Sequence, residues 1–258
     1  MDIAIPLRSE RQSLSVKHGG DYGYDAPYAL LAFLGVGVAG AVAALVVWLG
    51  HGPRRTVMIS LAYAAFFSAN ALSFWYTTRR GKFQVWEQTL DEMRLRGDER
   101  VLDVGCGRGA VTVAVARRLS RGSVTGIDRW SGRDQSGNSP AVTVRNTRVE
   151  AVDENVRVVT ADMLALPFRD QTFDVVVSSL AIHNLSGGMN RVRAVTEAYR
   201  VLKPGGRLAI ADIRHTARYA GTLTELGASQ IRHRRLGWRF WYGNPVAGTS
   251  LISASKRN

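Results

Sequence analysis

The sequence predicts an α/β domain, its sheet mostly parallel with an antiparallel last strand, preceded by two transmembrane helices. Three observations carry this. Two uncharged runs of 21 and 22 residues, Ala29–Leu49 and Thr56–Thr77, occupy the first third of the chain. After them, short β-branched runs alternate with helical stretches, the pattern of parallel strands joined by helices. A glycine-rich turn, Gly105-Cys106-Gly107-Arg108-Gly109, joins the first strand to the helix after it.

Length and composition set the limits. The 258 residues suit one domain with an appendage, at roughly 100–200 residues per domain. A hydrophobic fraction of 46% against 21% charged residues excludes a disordered chain. The single cysteine, Cys106, excludes a disulfide framework and a multi-cysteine zinc site, and no metal is expected. Lysine and arginine number 34 against 21 acids, a net charge of +13. That balance suits a surface facing nucleic acid, anionic head groups or an acidic substrate, and does not choose among them.

Each uncharged run is long enough for a bilayer, which needs about 20 apolar residues. The first starts too deep in the chain, and is followed too soon by a second, to read as a signal peptide. A buried soluble hairpin is the other reading. Gly35, Ala39 and Ala43, with Gly37 and Ala41, recur at four-residue spacing and allow close helix approach. Trp48, Trp75 and Tyr76 lie near the run ends, where amphipathic rings favour the interface. Arg8, Arg11 and Lys17 precede the first run, and Arg79, Arg80, Lys82, Arg94, Arg96 and Arg100 follow the second. The intervening loop carries Arg54 and Arg55. Positive charge therefore favours both termini, and the domain that follows, on the cytoplasmic side; a re-entrant hairpin fits as well. The chain divides into an N-terminal segment 1–28, a hairpin 29–77 and a domain 81–258.

The domain's elements follow in order. Phe83–Arg96 reads as an amphipathic lead-in helix and Arg100–Val104 as the first strand. Ala110–Leu119 is helical; Val124–Ile127 and Val156–Thr160 are the second and third strands. Phe173–Ser178 is the fourth, followed by a helix over Val192–Val201. The turn Lys203-Pro204-Gly205-Gly206 leads to a fifth strand, Arg207–Ala211. Segments around Trp238–Tyr242 and Ser250–Ala254 suggest a final antiparallel pair.

Ligands of open α/β sheets bind at the carboxyl ends of the strands, where strand order reverses. Gly105 and Gly107 clear side chains from that edge. The turn also fits the G-x-G-x-x-[GA] pattern of nicotinamide binding, and a tight turn without ligand is the plain alternative. Three acids refine it. Asp103 precedes the glycines and suits a cationic amino group; a pyrophosphate would be repelled there. Asp128, 25 residues later, ends the second strand and suits ribose hydroxyls. Asp162 follows the third strand and suits an adenine amino group, with Met163 on the ring face.

VLDVGCGRG, GID, ADMLALPF, FDVVVSSLAIHNL and RVLKPGGRLAIAD, in this order, resemble the class I methyltransferases that use S-adenosylmethionine. The likeness covers residues 95–213 and is loose over 214–258. It implies a Rossmann-like sheet and S-adenosyl-L-methionine as cofactor. It also implies Gly105, Cys106 and Gly107 beside the methionine moiety, Asp128 with Arg129 and Trp130 at the ribose, and Asp162 and Met163 at adenine. Ser178 and Ser179 would border the sulfonium. The segment from Trp130 to Asn138 is longer than the family's usual connection, which suggests a lid or part of an acceptor pocket.

Methyl transfer needs alignment, exclusion of water and, for a hydroxyl or ammonium acceptor, a base. His183, just past the fourth strand, is the candidate base, and Asn184 a candidate to orient it or the acceptor. His183 bonding a loop carbonyl is the alternative. His215 is a weaker candidate for the same work. Cys106 fits its turn by size, not reactivity. The run Ile231–Arg235 with Trp238–Tyr242 reads as an arginine-faced strand, with anionic head groups or single-stranded nucleic acid as other readings.

The function expected is transfer of a methyl group to a small lipophilic acceptor by an enzyme held in membrane lipid. Transfer to a soluble metabolite with the hairpin as a mere anchor, and a non-catalytic cofactor-binding membrane protein, are the alternatives. No nucleic-acid partner is expected, because no Asn-Pro-Pro-Tyr or Asp-Pro-Pro-Tyr tetrapeptide is present.

Overall fold

The structure is a computed structural model, and it describes residues 19–258. Arg8, Arg11 and Lys17, which enter the orientation argument, lie outside the described residues.

Two long helices come first, α1 (Pro27–Leu49) and α2 (Arg54–Tyr76). Both are long and apolar enough to cross a membrane. They pack on each other through small residues: a Cβ on Gly40 would stand 3.1 Å from the Ala64 amide nitrogen, and one on Gly37 3.0 Å from Ser68 Oγ. The closely packed stripe is thus Gly37, Gly40 and Ala44, while Gly35 faces open space. Their other faces leave Leu31, Leu34, Val38, Leu45, Leu61, Phe66 and Leu72 exposed.

No loop separates the hairpin from the domain. Thr77–Gly81 form a π-helical turn that continues directly into α3 (Lys82–Met93). The wider turn lets another chain segment approach: a Cβ on Gly81 would lie 1.8 Å from the carbonyl oxygen of Arg239, so only glycine fits.

The domain then alternates strand and helix: β1 (Arg100–Val104), α4 (Ala110–Ala116), β2 (Ser123–Asp128), α5 (Pro140–Val149), β3 (Val156–Thr160), β4 (Phe173–Ser179), α6 (Gly188–Arg200), β5 (Leu202–Asp212), α7 (Thr216–Glu225), β6 (Ser229–Arg235) and β7 (Ser250–Ser255). The seven strands form one sheet in the order β3-β2-β1-β4-β5-β7-β6. The first five are parallel, and β7 runs antiparallel between β5 and β6. Alternate residues point to opposite faces. Leu102, Ile127, Val176, Leu208, Ile210 and Ile252 pack under α6 and α7. Val101, Val124, Val175, Val177 and Ala209 pack under α3 and α4, where Phe74 of α2 joins the same core.

The final antiparallel pair differs from expectation. The partner of β7 is Ser229–Arg235, not Trp238–Tyr242. Gly237, at φ +76°, breaks the strand, and Trp238–Phe240 form a short 3-10 turn. The aromatics are drawn to the hairpin instead: Trp238 stacks on Tyr76 at 5.2 Å, and Tyr242 meets Phe74 edge-on at 5.0 Å. Strand β6, with Arg232, His233, Arg234 and Arg235, is a charged sheet edge, which discourages pairing with another chain.

Candidate functional site

Strand order reverses between β1 and β4, and a cleft of about 570 Å³ opens at their carboxyl ends. One wall is the glycine turn. Gly105 holds φ +74°, and a Cβ there would strike Ala181 Cβ at 2.2 Å, so the turn and the loop after β4 close together only with glycine at this position.

The amides of this turn are already engaged. Gly105 and Cys106 donate to the Ile127 carbonyl, and Gly109 to that of Cys106. Gly107 donates to Asp128 Oδ2 at 2.8 Å and Arg108 to Gln135 Oε1 at 2.8 Å. A pyrophosphate needs such amides unoccupied. The turn instead presents a carboxylate, Asp128, which lines the cleft. That chemistry fits a cofactor with a ribose and a cationic centre but no phosphate. Asp128 Oδ1 accepts from Trp130 N at 2.6 Å and, longer, from Asn138 Nδ2 at 3.3 Å. A carboxylate offers about four acceptor sites. One is vacant, and the Asn138 contact is the weakest of the rest.

The expected cofactor residues divide into two groups. Gly105, Gly107, Asp128, Arg129, Met163 and Ser179 line the cleft, with His183 and Asn184 opposite. Asp103, Cys106, Trp130, Asp162 and Ser178 do not. Asp103 is wholly buried and accepts from Thr112 Oγ1 at 2.6 Å; its other oxygen has no partner among the described residues. Burial pushes its carboxyl up to about 7. Cys106 is buried against Gly126, and desolvation raises its thiol well above the usual range. This fits the size argument and gives an inert thiol. Ser178 is buried and donates to the Val104 carbonyl at 2.7 Å, so it faces the sheet and not the cleft. Asp162 accepts the Leu164 amide at 2.9 Å and pairs with Arg129 at 3.1 Å; these hold its carboxyl below the usual range. Trp130 sits at φ +63° with its indole donating to Thr160 Oγ1 at 2.8 Å, outside the cleft wall.

The candidate base has a partner that the sequence reading missed. His183 Nδ1 stands 2.5 Å from Asp212 Oδ1, at the tip of β5. Asp212 is buried and also accepts from the His183 and Ile213 amides and Tyr219 O–H. Asn184 does not orient His183: its Nδ2 donates to the Leu180 carbonyl at 3.4 Å. His215 is absent from the cleft wall; it is exposed, at φ +62° in the N-cap position of α7. The signal for Asp212 was its place, an acid ending an apolar strand beside the reversal point.

The long connection after β2 covers the cleft. Ser131, Arg133, Asp134, Gln135 and Asn138 line it. Residues 19–26 lie across this connection: Ser136 N donates to the Tyr24 carbonyl at 3.1 Å, and Arg108 Nη2 pairs with Asp21 at 2.6 Å. Asp25 enters the cleft, pairing with Lys82 at 2.7 Å and accepting from Tyr242 O–H at 2.9 Å and Gln135 Nε2 at 3.1 Å. Lys82, Tyr242 and Trp86, whose indole donates to Ser179 Oγ at 2.8 Å, complete the wall.

Residues 102–210 match the family described as "Methyltransferase domain". The chain is 35% identical over 133 residues to a ubiquinone/menaquinone biosynthesis C-methyltransferase of Ruegeria sp., covering 50% of it. It is 34% identical over 136 residues to a demethylmenaquinone methyltransferase of Lactiplantibacillus plantarum, covering 53%. The matched parts are 51% of this chain in both cases. The chain thus spans about half the length of these curated relatives. An S-adenosylmethionine-dependent methyltransferase from Aquifex aeolicus superposes with a TM-score of 0.53 at 21% identity, over 66% of this chain and 88% of that one. Geranyl diphosphate C-methyltransferase from Streptomyces coelicolor gives 0.54 at 18%, over 69% and 80%. At these identities the likeness is one of fold.

Proposed function

We propose, from the premise that the chain carries a class I S-adenosylmethionine-dependent methyltransferase domain, that it is a membrane-anchored enzyme methylating a small lipophilic acceptor. The observation that carries this is the make-up of the cleft: a carboxylate-bearing glycine turn with its amides engaged on one side and an apolar wall on the other. The similarity to methyltransferases of ubiquinone and menaquinone biosynthesis supports a lipophilic, quinone-type ring as the acceptor class.

S-adenosylmethionine, when bound, supplies a methyl group already activated on sulfur. The protein's own residues do the rest. Asp128 receives the ribose hydroxyls, Asn138 yielding its contact, and Met163 lies on the adenine. Gly105 and Gly107 leave room for the methionine part, bordered by Ser179, and the unpartnered oxygen of Asp103 lies behind the turn. His183 Nε2 takes the proton that the acceptor gives up as it gains the methyl group, while Asp212 holds the ring from the Nδ1 side. The apolar wall excludes water. Two 23-residue helices with exposed apolar faces, the first uncharged and the second charged only at Arg54 and Arg55 in its first turn, support the anchor. The charges of Arg79 and Arg80 favour the domain on the cytoplasmic side.

Calorimetry with S-adenosylhomocysteine tests the cofactor. Binding by the wild type, lost in Asp128→Ala, is expected, and a wild type that fails to bind ends the enzyme reading. An alkaline wash of membranes tests the anchor, since release of the full chain into the supernatant overturns it.

A further inference from the structure

The cleft does not end at the catalytic domain. Its wall continues onto the hairpin: Ala29 and Phe33 from the first two turns of α1, and Phe74 from the last turn of α2, line the same cavity as Gly105, Asp128 and His183. Ala29 and Phe33 are four residues apart, hence on one face of α1. Phe33 meets Phe74 at 6.2 Å, and Phe74 meets Tyr242 at 5.0 Å, an aromatic wall between α1, α2 and the loop after β6. The neighbours Tyr28, Leu31 and Leu34 on α1 are exposed, so this foot of the helix carries an outer apolar surface as well as a cleft-lining face. This end is also tied down by polar contacts. Asn70, buried within α2, accepts from Asn244 Nδ2 at 2.8 Å, and Thr77 Oγ1 donates to the Trp241 carbonyl at 2.5 Å. A hairpin serving only as a tether needs no such shared wall, since a tether acts through local concentration without added contacts.

We infer that the feet of the hairpin are part of the acceptor site: the arm bounded by Ala29, Phe33, Phe74 and Tyr242 binds the apolar chain of an amphiphilic acceptor drawn from the bilayer, while the acceptor's polar ring reaches His183. This rests on the membrane-methyltransferase reading above and adds a chain-bearing acceptor, with Phe33 and Phe74 setting specificity. A ring without a chain would leave the arm empty and bind weakly.

The test uses the full chain in phosphatidylcholine nanodiscs and a hydroquinone bearing a farnesyl-length chain tipped with benzophenone. Photolabelling, resolved to the residue by fragmentation of the labelled peptides, is expected at Ala29, Phe33, Phe74 and Tyr242 and not at Leu31, Leu34 or Leu72. Excess chain-bearing hydroquinone without the photogroup should displace it, and hydroquinone alone should not. Phe33→Trp and Ala29→Val should each lower this labelling at least about fivefold, because a bulkier side chain takes up the arm. S-adenosylhomocysteine affinity, measured on the same samples, reports that the domain is folded. Labelling spread over Leu31, Leu34 and Leu72, unaltered by variants that still bind S-adenosylhomocysteine, overturns the inference. A wild type that does not bind S-adenosylhomocysteine overturns the enzyme reading instead, whatever the labelling pattern.

Discussion

His183 Nδ1 and Asp212 Oδ1 lie 2.5 Å apart at the tips of neighbouring strands, with Asp212 buried and held by two backbone amides and Tyr219. On the proposed reading this fixed carboxylate holds the ring in place and leaves Nε2 free to take the acceptor's proton. Asp212→Asn is expected to lower turnover about 10²-fold, the scale of one positioned proton transfer, with S-adenosylhomocysteine affinity nearly unchanged. His183→Ala should do the same, and the double variant little worse, because the pair acts as a unit. Fully additive losses would show that the two act separately.

Asp128 stands apart from this pair, because the role proposed for it is binding. It accepts from Gly107, Trp130 and Asn138 at once, so its loss removes a ribose acceptor and loosens the turn. Asp128→Ala should weaken S-adenosylhomocysteine binding by at least about tenfold, as charged hydrogen bonds contribute about 1.5–3 kcal/mol each. Asn138→Ala should leave that affinity intact or raise it, since on the proposed reading a ribose hydroxyl takes the place of its contact with Asp128. Calorimetry on both variants decides.

The parallel sheet and the glycine turn were legible because each is local: β-branched runs of strand length, and glycines where only glycine fits. Asp128, Gly105 and Met163 were legible for the same reason, as strand-tip residues. The hairpin's share in the cleft was not. Nothing in Phe33 or Phe74 distinguishes a cavity wall from a lipid-facing ring until α2 runs on through the π turn into α3 and brings Tyr242 beside it. Strand-tip position alone also misplaced Asp103 and Ser178, whose side chains the pleat turns into the sheet.

Burial of Asp103 has a consequence for stability. Its carboxyl titrates at about 7 when folded, against 3.8 for the ordinary group. Between those values the folded chain holds a proton that the unfolded chain has lost, so this group's contribution falls as pH rises, at up to about 1.4 kcal/mol per pH unit. Asp103→Asn carries no such charge. Relative to the wild type, its Tm should improve steadily from pH 5 to pH 7 and level off above. A constant difference across that range would show that Asp103 is ionised throughout.

Cys106 is expected to be silent. Its thiol is buried and raised in pKa, so the native chain should resist iodoacetamide at pH 8 and react fully in denaturant. Cys106→Ala should keep S-adenosylhomocysteine binding. Cys106→Leu should lose it, because a Cβ on Gly126 would already stand 3.0 Å from Cys106 and no room exists for a larger side chain. Rapid alkylation of the native protein would contradict the position of the turn.

Lys82 and Asp25 join the strap before α1 to the helix that follows the hairpin, their side chains 6% and 16% exposed. Asp25 also serves Tyr242 and Gln135, so its removal strands one buried ammonium and two donors. Breaking one side of a buried pair costs about 3–5 kcal/mol, whereas replacing both partners by apolar groups is often near neutral. Asp25→Ala is therefore expected to lower Tm more than the double variant Asp25→Leu with Lys82→Met. Equal losses would mean that the strap contributes packing and not charge. A fragment lacking residues 1–78 would lose Asp25, Phe33 and Phe74 together, and with them part of the wall of the cleft. Inactivity of such a fragment would follow from the missing wall, so substitutions in the full chain are the way to separate anchoring from binding.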